Sequence, residues 1–138
     1  MKDLSFYDPK ILIALGEAID RNFKIHQWLL QNGYPELAAL ASSLQADVDA
    51  FKWLMSNGYN HFAAFSNAID EDNQAYQWLV QYKFRILVLL VDAAYLRPEA
   101  LKILKDEGLV IFIRLAFKIR KLKEDQHRDY DFYYKMHF

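Results

Sequence analysis

ELAALASSLQADVDAFKWLMSNGYN, residues 36–60, is the second of four 25-residue stretches that align without a gap. ILIALGEAIDRNFKIHQWLLQNGYP (11–35) precedes it, and HFAAFSNAIDEDNQAYQWLVQYKFR (61–85) and ILVLLVDAAYLRPEALKILKDEGLV (86–110) follow. Trp28, Trp53, Trp78 and Ile103 share one column, and Leu29, Leu54, Leu79 and Leu104 fill the next. Ile19, Leu44, Ile69 and Ala94 keep another column apolar, and Gly33, Gly58 and Gly108 recur with Lys83 as the exception. A fixed period of roughly 20 to 50 residues marks stacked units, each burying its apolar face against the next.

Within the second unit Leu37, Leu40, Ala41 and Leu44 form one helical stripe, and Val48, Phe51, Trp53, Leu54 and Met55 form another. Two helices per unit follow from this spacing. Asp47 stands at an N-cap position before the second helix and Asn57-Gly58 at a C-cap position after it. Pro98 and Pro9 sit in first turns, where the missing N–H costs little. No window alternates with the period of a strand, and the chain has four glycines and no threonine. The expectation is an all-α, short helix-pair solenoid, with Ile86–Val91 in its most deeply buried helix.

The 138 residues fit one domain. A lead-in of 1–10, four repeats over 11–110 and a capping helix with an aromatic tail over 111–138 divide it. With 54% apolar or aromatic residues and 25% charged, the composition lies far from that of disordered chains. The net charge of −1 conceals an asymmetry: Ile111–Phe138 holds seven Lys/Arg against four Asp/Glu, and the remainder ten against fourteen. The absence of cysteine excludes disulfides and thiolate chemistry. With no signal-peptide pattern and no apolar run near the ~20 residues that span a bilayer, a cytoplasmic protein without membrane insertion is expected.

Asp49-Ala-Phe-Lys-Trp-Leu-Met-Ser-Asn-Gly-Tyr59 resembles the ankyrin-repeat segment E-V-V-K-L-L-L-x-x-G-A; Gln74–Tyr82 and Glu99–Gly108 match it less fully. Ala18, Ser43, Ala68 and Ala93 fall where that family packs a small residue of its first helix against the second. An ankyrin unit has about 33 residues, so the shorter unit here implies ankyrin-like repeats without the β-hairpin finger. The family's T-P-L-H opening and its interhelical glycine are missing. The resemblance implies binding to another protein.

The tryptophans follow the packing period and read as core or inter-repeat contacts, with Tyr34, Tyr59 and Phe84 as plugs between units. His26, His61, His127 and His137 include no i, i+4 pair for zinc, so no metal or cofactor is expected. Asp70-Glu71-Asp72 reads as a solvated turn, part of an acidic ridge with Asp20 and Asp92. Arg114, Lys118, Arg120, Lys121 and Lys123 surround the stripe Phe112, Leu115, Ile119 and Leu122, which reads as an amphipathic capping helix. Extending the period puts Arg128 in the tryptophan column and Asp129 in the leucine column, so the fifth unit is expected to lose its second helix or to replace it with something longer.

No nucleophile–base pair, phosphate loop or metal signature is present, and a non-catalytic protein–protein interaction module, a scaffold or adaptor, is expected. Its partner-binding positions would be Glu17, Asp20, Ser42, Gln45, Asn67, Asp70, Asp92 and Tyr95 on the first helices and Tyr130, Phe132, Tyr133 and Tyr134 in the tail. A homodimer built through the tail is the alternative reading. Nucleic-acid binding through 114–123 ranks below both, because the chain is slightly acidic and carries no such motif.

Overall fold

The computed structural model describes residues 2–137, apart from the side chains of Phe132, Tyr133, Tyr134, Met136 and His137. A short 3-10 turn (Leu4–Phe6) leads into α1 (Pro9–Ile19), α2 (Phe23–Gln31), α3 (Pro35–Leu44), α4 (Val48–Ser56) and α5 (Asn60–Ile69). Then come α6 (Asn73–Gln81), α7 (Arg85–Ala94), α8 (Pro98–Asp106) and α9 (Val110–His137). The described residues contain no strand. Helices α2, α4, α6 and α8 start at residues 23, 48, 73 and 98, and α3, α5, α7 and α9 at 35, 60, 85 and 110, so the sequence period is the period of the helices.

All eight connections close in the same way. Between a first and a second helix the middle turn residue is left-handed: Arg21 (φ 68°), Ala46 (72°), Glu71 (70°) and Leu96 (59°). The next N–H then reaches the carbonyl five residues back, as in Asn22 N to Glu17 O (3.0 Å) and Asp47 N to Ser42 O (3.0 Å). This closure satisfies carbonyls that a helix end leaves without partners. The same third residue caps the second helix: Asn22 accepts from Ile25 N, Asp47 from Ala50 N and Asp72 from Ala75 N. Pro98 replaces that cap in the fourth unit.

After each second helix Gly33, Gly58, Lys83 or Gly108 takes the left-handed position. The leucine column supplies the receiving carbonyls, in Tyr34 N to Leu29 O (2.9 Å), Tyr59 N to Leu54 O (2.9 Å), Phe84 N to Leu79 O (3.0 Å) and Leu109 N to Leu104 O (2.8 Å). Those four leucines are 0% exposed. The tryptophans lie at the edge of the core: Trp53 and Trp78 are half-buried and packed against it, and Trp28 is 41% exposed. Each also stacks on the aromatic residue beyond its glycine column, Trp28 on Tyr34 (6.3 Å), Trp53 on Tyr59 (5.9 Å) and Trp78 on Phe84 (5.7 Å).

The first helices pack side by side in chain order, α1 on α3, α3 on α5 and α5 on α7, with each second helix seated against its own first helix and the next. Helix α7 is no more buried than α3 or α5; each contributes seven buried residues. Where the sequence leads one to expect a cap on one end of an open row, α9 packs on both α7 and α1. Its buried stripe is Phe112, Leu115, Ala116, Ile119 and Leu122. The Ser43–Ser66 hydroxyl bond (2.8 Å) joins α3 to α5 at repeat positions where Lys118 lies over Gly16 to join α9 to α1. The five helices therefore return on themselves around one core.

Lys2–Tyr7 crosses the N-terminal end of that core. Leu4 is buried, Asp3 Oδ2 accepts from Ile86 N (3.3 Å), His61 Nε2 bonds Lys2 O (2.8 Å) and the Tyr7 hydroxyl donates to Glu36 Oε1 (2.8 Å).

Candidate interaction groove

The C-terminal ends of α1, α3, α5 and α7 lie at the opposite end of the core, and the helix dipoles there leave carbonyls and partial negative charge. Three units answer the preceding helix from the residue that ends their own first helix, or its equivalent in α9. Gln45 Nε2 donates to Ala18 O (2.9 Å) and Ile19 O (3.3 Å), the Tyr95 hydroxyl to Ile69 O (2.5 Å) and Arg120 to Ala94 O (3.0 Å). Asp20 and Asp70 occupy that position in the other two units and cannot donate. Cations of α9 compensate: Lys118 pairs with Asp20 and with Glu17 (3.6 Å), and Lys123 pairs with Asp70 (2.9 Å) while donating to Leu44 O (2.7 Å). Gln126 Nε2 adds a second donor to Leu44 O (3.0 Å). Burial works against the Lys118 ammonium, but the Asp20 hydrogen bond and the charges of Asp20 and Glu17 outweigh it and hold its pKa above the ordinary lysine value.

Beyond Gln126 helix α9 continues past the core. At 28 residues it is about 42 Å long. Under this overhang lies an open groove of about 880 Å³, floored by Ile69, Ala94 and Ile119 and walled by Tyr95 and Tyr130. Asp70 and Glu71 line it from the α5 side, and Arg120, Lys123, Glu124, Arg128, Asp131 and Lys135 line it from α9. A smaller pocket of about 220 Å³ continues from it, sharing Glu71 and Tyr95 and reaching Tyr76 and Arg97. The Tyr95 phenol is raised above its ordinary pKa by burial and then by the Glu71 and Asp70 charges, and stays a neutral donor to Ile69 O.

Of the positions expected to meet a partner, Asp70, Tyr95 and Tyr130 come together in this groove. Glu17 and Asp20 are engaged at the α1–α9 seam, and Ser42 bonds His26 Nε2 (2.9 Å). Gln45 is held by α1. Asp92 accepts from the Tyr76 hydroxyl (3.0 Å) and pairs with Arg97 beside the smaller pocket. Asn67 is half-buried on α5. The side chains of Phe132, Tyr133 and Tyr134 lie outside the described residues. Glu71, Glu124, His127 and Arg128 were not among the expected partner-binding positions, and their meeting depends on α9 running straight through the place where other units turn. Leu122 could have signalled it: an apolar, buried residue stands where other units carry an N-cap.

Among the described residues no three His, Asp or Glu side chains form a metal-binding set, and no helix is long and apolar enough to cross a membrane. Comparison with protein-family models, curated proteins and solved structures finds no match.

Proposed function

We propose that this chain is a non-catalytic protein–protein interaction module, a hairpin-less ankyrin-like solenoid curled back on itself that presents the groove beneath α9 to a partner protein. The supporting observation is the groove itself, where aromatic walls and charges of both signs surround an apolar floor. Interfaces favour aromatic and arginine anchors around an apolar centre. The basic stretch gives nucleic acid little purchase, since Lys118, Arg120 and Lys123 are engaged with carboxylates and carbonyls of the chain itself. In host lysate, the full chain is expected to capture a stoichiometric partner that Glu71→Lys and Arg128→Glu variants lose and a Lys52→Glu variant on α4 retains. Equal capture by all four would remove the groove from the interface.

Dimerisation is the second reading, favoured by the overhang. Arg128 pairs with Asp125 within α9 itself, and an isolated helix as short as residues 127–137 is marginal in water. Sedimentation that stays monomeric at high concentration would dispose of it.

A further inference from the structure

His61 is 1% exposed, and its Nδ1 is the one buried side-chain polar atom without a hydrogen-bond partner among the described residues. The ring is wedged between Phe62 (centroids 4.2 Å apart) and Phe84 (5.1 Å). Its other nitrogen bonds a carbonyl, Lys2 O, so Nε2 carries the proton and Nδ1 is a bare acceptor. Buried polar atoms are ordinarily satisfied, and an orphan calls for a reason.

We infer that His61 is an acid-sensitive latch on the N-terminal strap Lys2–Tyr7, holding it across the core when neutral and releasing it when protonated. A proton on Nδ1 would create a buried N–H with no acceptor, at the second residue of α5, where the helix dipole already disfavours positive charge. The elements packed around it offer no relief. On the strap, the Asp3 carboxylate accepts from Leu4 N (2.6 Å) and Ile86 N. Glu36 on α3 is held by Tyr7, Arg85 on α7 pairs with Glu107, and the Tyr59 ring stands 6.2 Å away. Burial depresses the His61 pKa; the Lys2 O hydrogen bond opposes this and is outweighed.

The sign follows. The closed strap lowers the imidazole pKa, so the open form binds the proton more readily. Closure is therefore complete above the ordinary histidine pKa of about 6.5 and weakens as pH falls below it. Opening would uncover Leu4's place in the core and Glu36, a residue 6% exposed when the strap is closed.

Amide hydrogen exchange read by NMR between pH 7.5 and 5, corrected for intrinsic rates, tests the latch. The Phe6 and Tyr7 amides, bonded to Asp3 O and Leu4 O, should lose protection by up to about tenfold per pH unit, the limit of a one-proton linkage. The mid-helix amides of α3 and α5 should keep theirs. A His61→Gln variant, which retains a donor for Lys2 O but cannot ionise there, should show no pH dependence. Strap protection flat with pH, acid loss shared equally by α5, or the same acid loss in the glutamine variant would each overturn the proposal. If that variant does not fold, the His61 ring titration in the unaltered chain must share its midpoint with strap opening; separate midpoints would equally overturn it.

Discussion

Five residues with a Cβ, Arg21, Ala46, Glu71, Lys83 and Leu96, hold a left-handed backbone that favours glycine. Each bears a steric cost of order 1–2 kcal/mol, partly offset because glycine gains more freedom in the unfolded chain. Lys83 is exposed and occupies the column where the other units carry Gly33, Gly58 and Gly108. Lys83→Gly should therefore stabilise the protein by about 0.5–1 kcal/mol, measured as a raised urea midpoint with unchanged slope. In the adjoining leucine column Leu54→Ala should cost about 2–5 kcal/mol, because a fully buried side chain leaves a cavity. The two columns were legible in the sequence, and so was the leucine's burial, but the tryptophan's place at the edge of the core was not. Both residues repeat with the same period, and period alone does not separate a core position from a ring stacked at the edge. His61 and Glu36 were equally readable in principle, being polar residues in a column otherwise filled by Ile11, Ile86 and Ile111.

Helix α9 does two jobs along its length, and truncation should separate them. Up to Gln126 it buries Leu122 and supplies the donors for Leu44 O; beyond that, the described residues form pairs within the helix and line the groove. A chain ending at Gln126 should keep its urea stability within about 0.5 kcal/mol, as surface changes usually do, and lose partner capture. A chain ending at Lys121 should lose about 3 kcal/mol or more, because a buried leucine goes and Leu44 O and Asp70 lose their cation. The amphipathic stripe of α9 was plain in its sequence. Its charges were not assigned to partners, because Asp20 and Asp70 call for cations only once the helix ends converge, and that convergence is tertiary. The groove was hidden for the same reason: its walls come from turns at residues 69–71 and 94–95 and from a helix more than 20 positions further on.

Across the whole molecule the contact between α1 and α9 joins residues 98 positions apart, Asp20 and Lys118. Gly16 marks how close that seam is: an added Cβ would stand 3.1 Å from Lys118 Cδ and 3.3 Å from Leu115 Cδ2. Gly16→Leu should therefore force the seam apart and cost about 1–3 kcal/mol by urea unfolding, in the range of core overpacking. Removing the unit 36–60 should abolish the cooperative thermal transition followed by circular dichroism. In an open array, where stability is nearly a sum over neighbours, the same deletion would merely lower it. An open row of repeats can lengthen or shorten by duplication and loss at its ends, one gene segment at a time. A row whose last helix rests on its first has no such freedom, since a chain longer by one 25-residue segment would carry α9 away from Gly16. The number of units is thus fixed by closure, and evolutionary variation in this protein is expected in its turns and overhang, with the unit count held constant.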